Sequence, residues 1–406
     1  MSELYRAIDS LMTAGTGSDI GIRVFVSPLE FELPPPIFSP DDLSATVRSY
    51  QETLVRLWQS DSLPEEITAA PTWSAPVPEG EWRNLDPEHL IPLFVRTDES
   101  IDGVIYEIQC PGSWWGSCDA LERVLAPERL ALSARFAADL HTVFPEGAKI
   151  LHLFESSTSP HENHYFANQV RRTSPDFRYW ALDPDAAKDE CDLIRAHSYS
   201  GLVSEDMFRI RLHQLAVGQV RFDLPPIPIF DQKAAMALPF DPDYKRHFDD
   251  AQRAVFPYTA LLRDNHVILE TGERASINDL LRRPDGERAY MLKYAGLDTT
   301  RNWGARGVVA LRELLEQDMA PLLETLTQDA TRNEPWILQA EVESLGEVTV
   351  QEPDGTARIE TSNLKINHFL GPTRSLGKLL QASPGRVRWN ARTVLSLVRE
   401  PDDAAR

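Results

Sequence analysis

Residues 93–109 read LFVRTDESIDGVIYEIQ and contain two strand-like runs, Leu93–Arg96 and Gly103–Gln109. The second run places Val104, Tyr106 and Ile108 at every second position, the alternation of a strand with two unlike faces. A short polar segment separates the runs. The stretch therefore predicts two adjacent strands near the start of the chain.

The polar side chains of these runs are spaced so that they share strand faces. Arg96 and Asp98 are two positions apart and project together, as do Glu107 and Gln109. Adjacent strands would bring one guanidinium, two carboxylates and one amide oxygen to a common pocket. Hard oxygen ligands suit Mg²⁺, which binds through one or two carboxylates and substrate phosphates. The alternative is that both polar faces meet solvent.

The composition is that of an ordinary globular protein. The 406 residues are 42% apolar and 25% charged, which argues against wholesale disorder. Lys and Arg total 41 against 62 Asp and Glu, so the formal net charge is −21. Such an acidic chain is repelled by nucleic acid and anionic lipid. No segment has the roughly 20 apolar residues that span a bilayer, and no secretory signal is visible, so we expect a cytoplasmic protein.

Periodicity and breakers predict an organised series of elements. A helix is expected from Pro40 to Leu57, capped by Ser39. Residues 148–225 predict a compact α/β unit with a parallel strand–helix–strand core, and no GxGxxG motif accompanies it. Further elements are predicted beyond the proline-rich residues 224–228. They are a helix at Ile277–Leu281, a helix at Val308–Leu315, a strand at Trp336–Ala340 and a β-rich segment over 346–406.

A lysine at a strand end precedes a loop with two glycines. Lys293 closes the run Tyr290–Lys293, and Gly304 and Gly307 follow. An ammonium group beside backbone N–H groups can grip a phosphate, although no GKS or GKT makes this a Walker A motif. A purely structural loop is the alternative.

Downstream, Gln339 and Glu341 end a buried-type strand and could hydrogen-bond an adenine edge, although many strands end this way.

In chain order these segments resemble the circularly permuted ATP-grasp ligases, in particular the glutathionylspermidine synthetase-like group. The resemblance spans most of residues 90–395. Gln109 stands where that group usually has Asn, and Tyr294 where it usually has Pro. The matching stretches are Arg96-Thr97-Asp98, Glu107-Ile108-Gln109, Asp231-Gln232-Lys233-Ala234, Leu292-Lys293-Tyr294, Gly304–Val308, Gln339–Glu341 and Val387–Val394.

The resemblance implies an α+β ATP-grasp fold, circularly permuted, whose antiparallel sheets and helices form a nucleotide cleft. It implies that residues 1–147 carry the metal-binding strands, 148–225 a small α/β pre-ATP-grasp-like domain, 226–345 the nucleotide-binding lobe and lid, and 346–406 a segment returning to the core. The implied site residues are Lys233 and Lys293 on the ATP phosphates, Gly304 and Gly307 in the lid, Gln339 and Glu341 by adenine and ribose, Asp98, Glu107 and Gln109 on Mg²⁺, and Arg96 as the catalytic residue at the γ-phosphate.

Two tryptophans follow the second strand directly. We expect Trp114 and Trp115 to line the pocket of the acceptor substrate, since paired indoles supply flat apolar walls. The alternative is that both belong to the core.

The predicted function is an ATP- and Mg²⁺-dependent ligase. It would activate a small-molecule carboxylate as an acyl phosphate and join it to an amine. An ATP-dependent phosphotransferase and a catalytically silent ATP-grasp-like binding protein are the alternatives. Neither the two substrates nor the oligomeric state follows from the sequence.

Overall fold

The computed structural model describes residues 23–27, 30–34, 37–68, 85–109, 114–153, 160–182, 191–196, 210, 213–215, 217–225, 227–230, 233–296, 298, 301, 307–351, 356–384 and 392–399. Within these ranges the chain is a mixed α+β protein, as the sequence predicts. The strands are β1 Arg23–Val26, β2 Phe31–Glu32, β3 Val95–Glu99, β4 Ile105–Gln109, β5 Ala148–Leu153, β6 Phe177–Leu182, β7 Leu193–Ala196, β8 Arg221–Phe222, β9 Thr259–Leu261, β10 His266–Ile268, β11 Arg274–Ser276, β12 Tyr290–Tyr294, β13 Val308–Ala310, β14 Trp336–Ala340, β15 Leu345–Gln351, β16 Ala357–Leu370, β17 Ser375–Ser383 and β18 Arg392–Arg399. The α-helices are α1 Pro40–Gln59, α2 Glu65–Thr68, α3 Trp115–Leu125, α4 Leu132–Val143, α5 Pro160–Thr173, α6 Asp250–Ala254, α7 Ile277–Leu281 and α8 Glu316–Ala330. Short 3₁₀ turns lie at Pro87–Leu90, Pro228–Phe230, Lys233–Ala237, Lys245–His247, Asp285–Glu287 and Leu311–Glu313.

The largest sheet joins the two ends of the described chain. Its order is β15-β1-β18-β17-β16-β3-β4, with β2 also on β18. Neighbours are antiparallel except that β1 and β2 run parallel to β18. The long strand β16 pairs with β3, so that Asn367 lies opposite Asp98. The two adjacent strands predicted from residues 93–109 are confirmed as the β3–β4 hairpin at one end of this order.

A parallel sheet follows along the chain, in the order β6-β5-β7-β8. Strands β5 and β6 pair in parallel, from Ala148 opposite Phe177 onward, and helix α5 connects them. This confirms the strand–helix–strand unit. A parallel pair requires such a crossover, since a hairpin cannot join parallel strands.

The third sheet has the order β13-β12-β14-β9 and is antiparallel. Strand β14 and helix α7 have the predicted bounds. The helix predicted at Val308–Leu315 is wrong: Val308–Ala310 is a strand paired with β12, and a single 3₁₀ turn follows. β-Branched Val308 and Val309 favour the strand once β12 offers a partner, which the sequence pattern alone does not reveal.

Helix α1 covers one face of the large sheet. The Ser39 side chain accepts the N–H of Asp42 at 3.2 Å and Pro40 occupies the first turn, so the predicted cap is confirmed. Its buried side chains, among them Val47 and Leu54, share a core with Val95 of β3.

A second core lies on the other face and is rich in aromatic side chains. Its members come from β16, α3, α4, α5 and the parallel sheet, and include Phe94, Trp115, Phe136, Phe166 and Phe369. Because both faces near β3 are covered, the polar side chains of this strand are buried. None of the helices that the structure describes is long and apolar enough to cross a membrane.

Candidate functional site

The site is built on one face of the β3–β4 hairpin. The register places Arg96 opposite Gln109 and Asp98 opposite Glu107. These four side chains therefore lie on the same face of adjacent strands, as their spacing predicts. The local geometry expected from the sequence is confirmed, although the chemical roles of the residues stay predictions.

Asp98 is held by two cations. Its Oδ1 accepts from Arg96, with Nε at 3.0 Å and Nη2 at 2.9 Å. Its Oδ2 accepts from Nζ of Lys365 at 2.9 Å. The Asp98 and Arg96 side chains are each 2% exposed, and that of Lys365 is 12% exposed. Charge-assisted hydrogen bonds of this kind are short and strong in a buried setting.

Glu107 faces a concentration of positive charge. Nζ of Lys233 lies 3.3 Å from Glu107 Oε1, and the carboxylate is 23% exposed. Burial raises the pKa of Glu107, but Lys233, Lys293 and Lys365 together outweigh it and lower the pKa to about 2. Glu107 is therefore ionised throughout the physiological range.

Lys293 joins the third sheet to β4. Its Nζ donates to the backbone carbonyl of Tyr106 at 3.0 Å and to Oε1 of Gln339 at 2.6 Å. The same ammonium lies 5.4 Å from the centre of the Tyr106 ring. Burial is the main cause that lowers the pKa of Lys293 to about 8, and Glu107 partly opposes it. Lys293 remains mostly charged at neutral pH.

Segments far apart in sequence thus converge on one hairpin. Among the described residues, these contacts join four cationic side chains and two carboxylates, an excess of two positive charges. In a chain of net charge −21, such an excess favours an anion as the ligand of this cluster. Its members are Arg96, Lys233, Lys293, Lys365, Asp98 and Glu107.

The predicted nucleotide-side residues lie on and beside the third sheet. Gln339 is 1% exposed and donates from Nε2 to Thr259 Oγ1 at 3.1 Å, so that both ends of its amide are bound. Glu341 lies just beyond β14, and Arg312 approaches its carboxylate at 3.6 Å. Gly307 lies immediately before β13. A Cβ added there would lie 2.6 Å from Tyr294 Cβ, so only glycine fits. Gly304 lies outside the described residues.

The two tryptophans occupy different environments. Trp115 is 4% exposed and packs at 4.7 Å from the ring of Phe369 and 5.7 Å from that of Phe136. The Arg195 guanidinium lies 4.4 Å above its ring. Trp115 therefore belongs to the core, as the alternative interpretation proposed. Trp114 is half-buried at the head of α3, so it is the one with an accessible side.

Sequence reasoning missed a buried carboxyl beside Arg96. Glu162 of α5 is 2% exposed and accepts the N–H of Gly116 at 3.1 Å, at the N-terminus of α3. Burial raises its pKa to about 7, while the N–H groups of α3 and the nearby Arg96 oppose the rise.

Sequence reasoning missed Lys365 as well. Only the alternation of Asn363-Leu364-Lys365-Ile366-Asn367 gave any signal that it lies on a polar face.

The opposite face of β3 carries a separate buried network. Glu99 accepts a hydrogen bond from Thr97 and lies 3.0 Å from Nδ1 of His368. Nε2 of His368 lies 2.7 Å from the Ser375 hydroxyl. On the face opposite Arg96, these contacts connect β3 to β16 and β17, and they hold the strand that carries Arg96 in place.

A small open pocket of about 20 Å³, with room for roughly one water molecule, adjoins Lys233 of the cationic cluster. Lys233 forms one of its walls, with the side chains of Tyr50, Leu54, Ile108 and Met236 around it. Its lining mixes polar and apolar groups, and the space as it stands is too small for an organic substrate.

Comparison with one solved structure shows a shared fold. A glutathione synthetase-like effector from Globodera pallida aligns over 90% of this chain and 89% of its own, with 11% identity and a TM-score of 0.50. A candidate gamma-glutamylcysteine synthetase from Methylobacillus flagellatus KT aligns over 87% and 85%, with 11% identity and a TM-score of 0.40. No family model and no curated protein matches the sequence. The chain therefore has the fold of the glutathione synthetase-like effector, and its activity has to be argued from the site.

Proposed function

We propose that this protein is an ATP-dependent carboxylate–amine ligase of the circularly permuted ATP-grasp type, which forms an amide bond through an acyl phosphate. The observation that carries the proposal is the convergence of four cations from distant segments on the β3–β4 hairpin, with a surplus of positive charge. A polyphosphate suits such a cluster, because its oxygens accept charge-assisted hydrogen bonds from several cations at once.

In this proposal the residues on the nucleotide side keep the roles that the resemblance implies. Lys233 and Lys293 neutralise the phosphates, and Gln339 and Glu341 lie on the side of the base and ribose. Arg96 contacts the γ-phosphate and then the acyl phosphate. Gly307 keeps its predicted role in the lid, and the same role for Gly304 falls outside the described residues. Trp114 is the proposed surface for the acceptor substrate.

The chemistry requires no protein nucleophile. A carboxylate oxygen of the substrate attacks the γ-phosphorus, and the bond to the β-phosphate oxygen breaks to release ADP. The amine then attacks the acyl carbon, inorganic phosphate leaves, and the amine loses a proton to solvent. The cations stabilise negative charge on the transferring group, and burial limits loss of the acyl phosphate to water.

Magnesium, which the family resemblance implies, does not fit the side chains as they are arranged. Carboxylate and amide oxygens are the right ligand types. However, both Asp98 oxygens accept from cations and Glu107 is paired with Lys233. Among the described residues, no three His, Cys, Asp or Glu side chains are grouped to hold a metal ion. No step above is therefore assigned to a metal.

A catalytically silent nucleotide-binding protein is the second candidate. The observation that favours it is the closed Arg96–Asp98 pair, since Arg96 is 2% exposed and already bonded within the protein. Turnover separates the two functions.

Release of ADP and phosphate tests the proposal. The protein is incubated with ATP and pooled carboxylic acids, with and without pooled amines, and we expect amine-dependent release of both products. Lys293→Met should lower the rate on the order of 10²–10³-fold, because it removes a buried cation from the phosphates. Lys245→Met, at an exposed lysine, is the matched control.

Other outcomes of the same assay are equally informative. A stable phosphorylated acid that forms without amine would favour the phosphotransferase. ATP binding without any turnover would favour the silent protein. If ATP does not raise the melting temperature at all, the nucleotide site is refuted.

A further inference from the structure

We propose that the ammonium group of Lys365 occupies the place beside Asp98 that a divalent cation would take, so that the cationic cluster binds a polyphosphate anion without a divalent metal. The inference rests on the proposed function in one respect, namely that the anion is a polyphosphate. It goes beyond that function by assigning Lys365 and by making binding independent of metal.

The Asp98 carboxylate has no oxygen left without a cation. Two nitrogens of Arg96 donate to Oδ1 of Asp98, and Nζ of Lys365 donates to Oδ2 at 2.9 Å. A divalent ion that bound Asp98 would come within a few ångströms of both positive groups. At such separations, like charges in a poorly solvated site repel strongly.

Lys365 is part of the sheet and is not a mobile surface lysine. It lies on β16, which is bonded to β15, β17 and β3. Asn367 faces Asp98 directly, and Lys365, two positions earlier, lies on the same face. Its side chain is 12% exposed. To admit a metal, the ammonium would have to leave Asp98 and lose its carboxylate partner in a largely buried environment, which is unfavourable.

The second carboxylate follows the same arrangement. Glu107 is paired with Lys233 at 3.3 Å, and Lys293 and Lys365 also lower its pKa. The two carboxylates that the resemblance assigns to magnesium, Asp98 and Glu107, therefore each face a lysine ammonium group. What a metal would supply to a phosphate is positive charge, and the cluster already has a surplus of it. Lysines add three N–H donors each, which can reach phosphate oxygens directly.

Binding with and without metal tests the inference. The affinities of ATP and of inorganic tripolyphosphate are measured by calorimetry, in excess EDTA and in excess Mg²⁺. We expect the dissociation constant of each ligand to agree within about threefold between the two conditions. A loss of tenfold or more in EDTA would overturn the inference, while binding in Mg²⁺ would leave the proposed function standing. No binding in either condition would refute the proposed polyphosphate site itself.

Variants of Lys365 sharpen the result. Lys365→Met frees one oxygen of Asp98 and removes one cation, so we expect tenfold or weaker binding in EDTA and recovery when Mg²⁺ is added. Lys365→Arg keeps the charge and should remain independent of metal. Lys245→Met, at an exposed site, should behave as the unaltered protein. Equal Mg²⁺ dependence of Lys365→Met and the unaltered protein would contradict the assignment. If Lys365→Met does not fold, the comparison of EDTA with Mg²⁺ still decides.

Discussion

At the scale of single residues, Lys293 is the most sensitive group in the site. Its ammonium bridges Gln339 on β14 and the backbone of Tyr106 on β4, so it connects two sheets with one charge. Burial lowers its pKa from the ordinary 10.5 to about 8. The charge that would meet a phosphate can therefore be removed by a modest rise in pH.

Binding of ATP should weaken as the pH rises through 8. A protonated Lys293 is needed for the phosphates, so we expect the dissociation constant to rise roughly eightfold between pH 7.5 and 9. Lys293→Arg, whose guanidinium stays charged over this range, should flatten the profile. Calorimetry at fixed ionic strength measures both. A profile of the unaltered protein that is already flat would contradict the proposed role.

The sequence predicts a contact when the two partners are close together in the chain, and it does not when they are far apart. The pairs Arg96 with Asp98 and Glu107 with Gln109 follow from a local period of two. Lys365 acts through Asp98, 267 positions earlier, and nothing in a single sequence fixes the register between β16 and β3. The environment of Trp115 was undecidable for the same reason, because its ring partners come from distant elements.

At the scale of elements, α3 begins in an unusual way. Trp114 has a φ of 77° and provides no side-chain cap, and the Glu162 carboxyl of α5 binds the first N–H groups of α3 instead. The helix end favours the charged form of Glu162, but burial dominates and raises its pKa to about 7. The contact between α3 and α5 therefore depends on protonation near neutral pH.

Glu162→Gln should change how stability depends on pH. Because the folded-state pKa of about 7 lies above the ordinary 4.5, the folded protein holds the extra proton between these values. The free energy of unfolding therefore falls as the pH rises through that window. Relative to the unaltered protein, Glu162→Gln should gain roughly 2 kcal/mol on going from pH 5 to pH 8.

Urea denaturation at both pH values measures this difference. Glu128→Gln, at an exposed residue, is the matched control and should show no such gain. If Glu162→Gln and the unaltered protein follow parallel curves, Glu162 is not the titrating group.

Prediction of elements succeeded where the signal was local. The Ser39 cap fixed the start of α1, and an apolar run bounded by polar residues fixed β14. The segment 308–315 was predicted as a helix because its apolar residues fit a helical period, and pairing with β12 overrode that preference. A three-residue strand is specified chiefly by its neighbour, so sequence alone cannot identify it.

At the scale of the whole molecule, one buried ion pair connects the parallel sheet to the site strand. Nη1 of Arg195 on β7 donates to Asp223 Oδ2 at 2.8 Å, and Oδ1 of Asp223 accepts the N–H of Phe94, next to β3, at 2.6 Å. Both side chains are fully buried. Nε and Nη2 of Arg195 have no hydrogen-bond partner in the part of the chain that the structure describes, and the guanidinium lies over the Trp115 and Phe136 rings.

Removing Arg195 alone should lower the free energy of unfolding more than removing the charges of both Arg195 and Asp223. Arg195→Met leaves a buried carboxylate without its partner, so we expect a loss of roughly 3–5 kcal/mol in the free energy of unfolding. Adding Asp223→Asn removes that charge and keeps an acceptor for Phe94, so the double variant should be the more stable of the two. Urea denaturation of both singles and the double gives the coupling energy.

Asp250→Asn is the control for this cycle, since that carboxylate is 99% exposed and should change stability by less than about 0.5 kcal/mol. A double variant as unstable as Arg195→Met would show that the aromatic stacking of Arg195, and not its pairing with Asp223, sustains the connection.

The pairing of β1 with β18 has a consequence for biosynthesis. Arg23 lies opposite Arg392, and β16, which completes the cluster at Asp98, ends at Leu370. Ribosomes release a polypeptide from its amino end, so the β3–β4 hairpin emerges long before Lys365 exists to contact it. A nascent chain must hold that hairpin without Lys365 until β16 has been made. The cluster around Asp98 is therefore complete only after β16 has left the ribosome, and a product that stops before β16 lacks the ammonium group that contacts Oδ2 of Asp98.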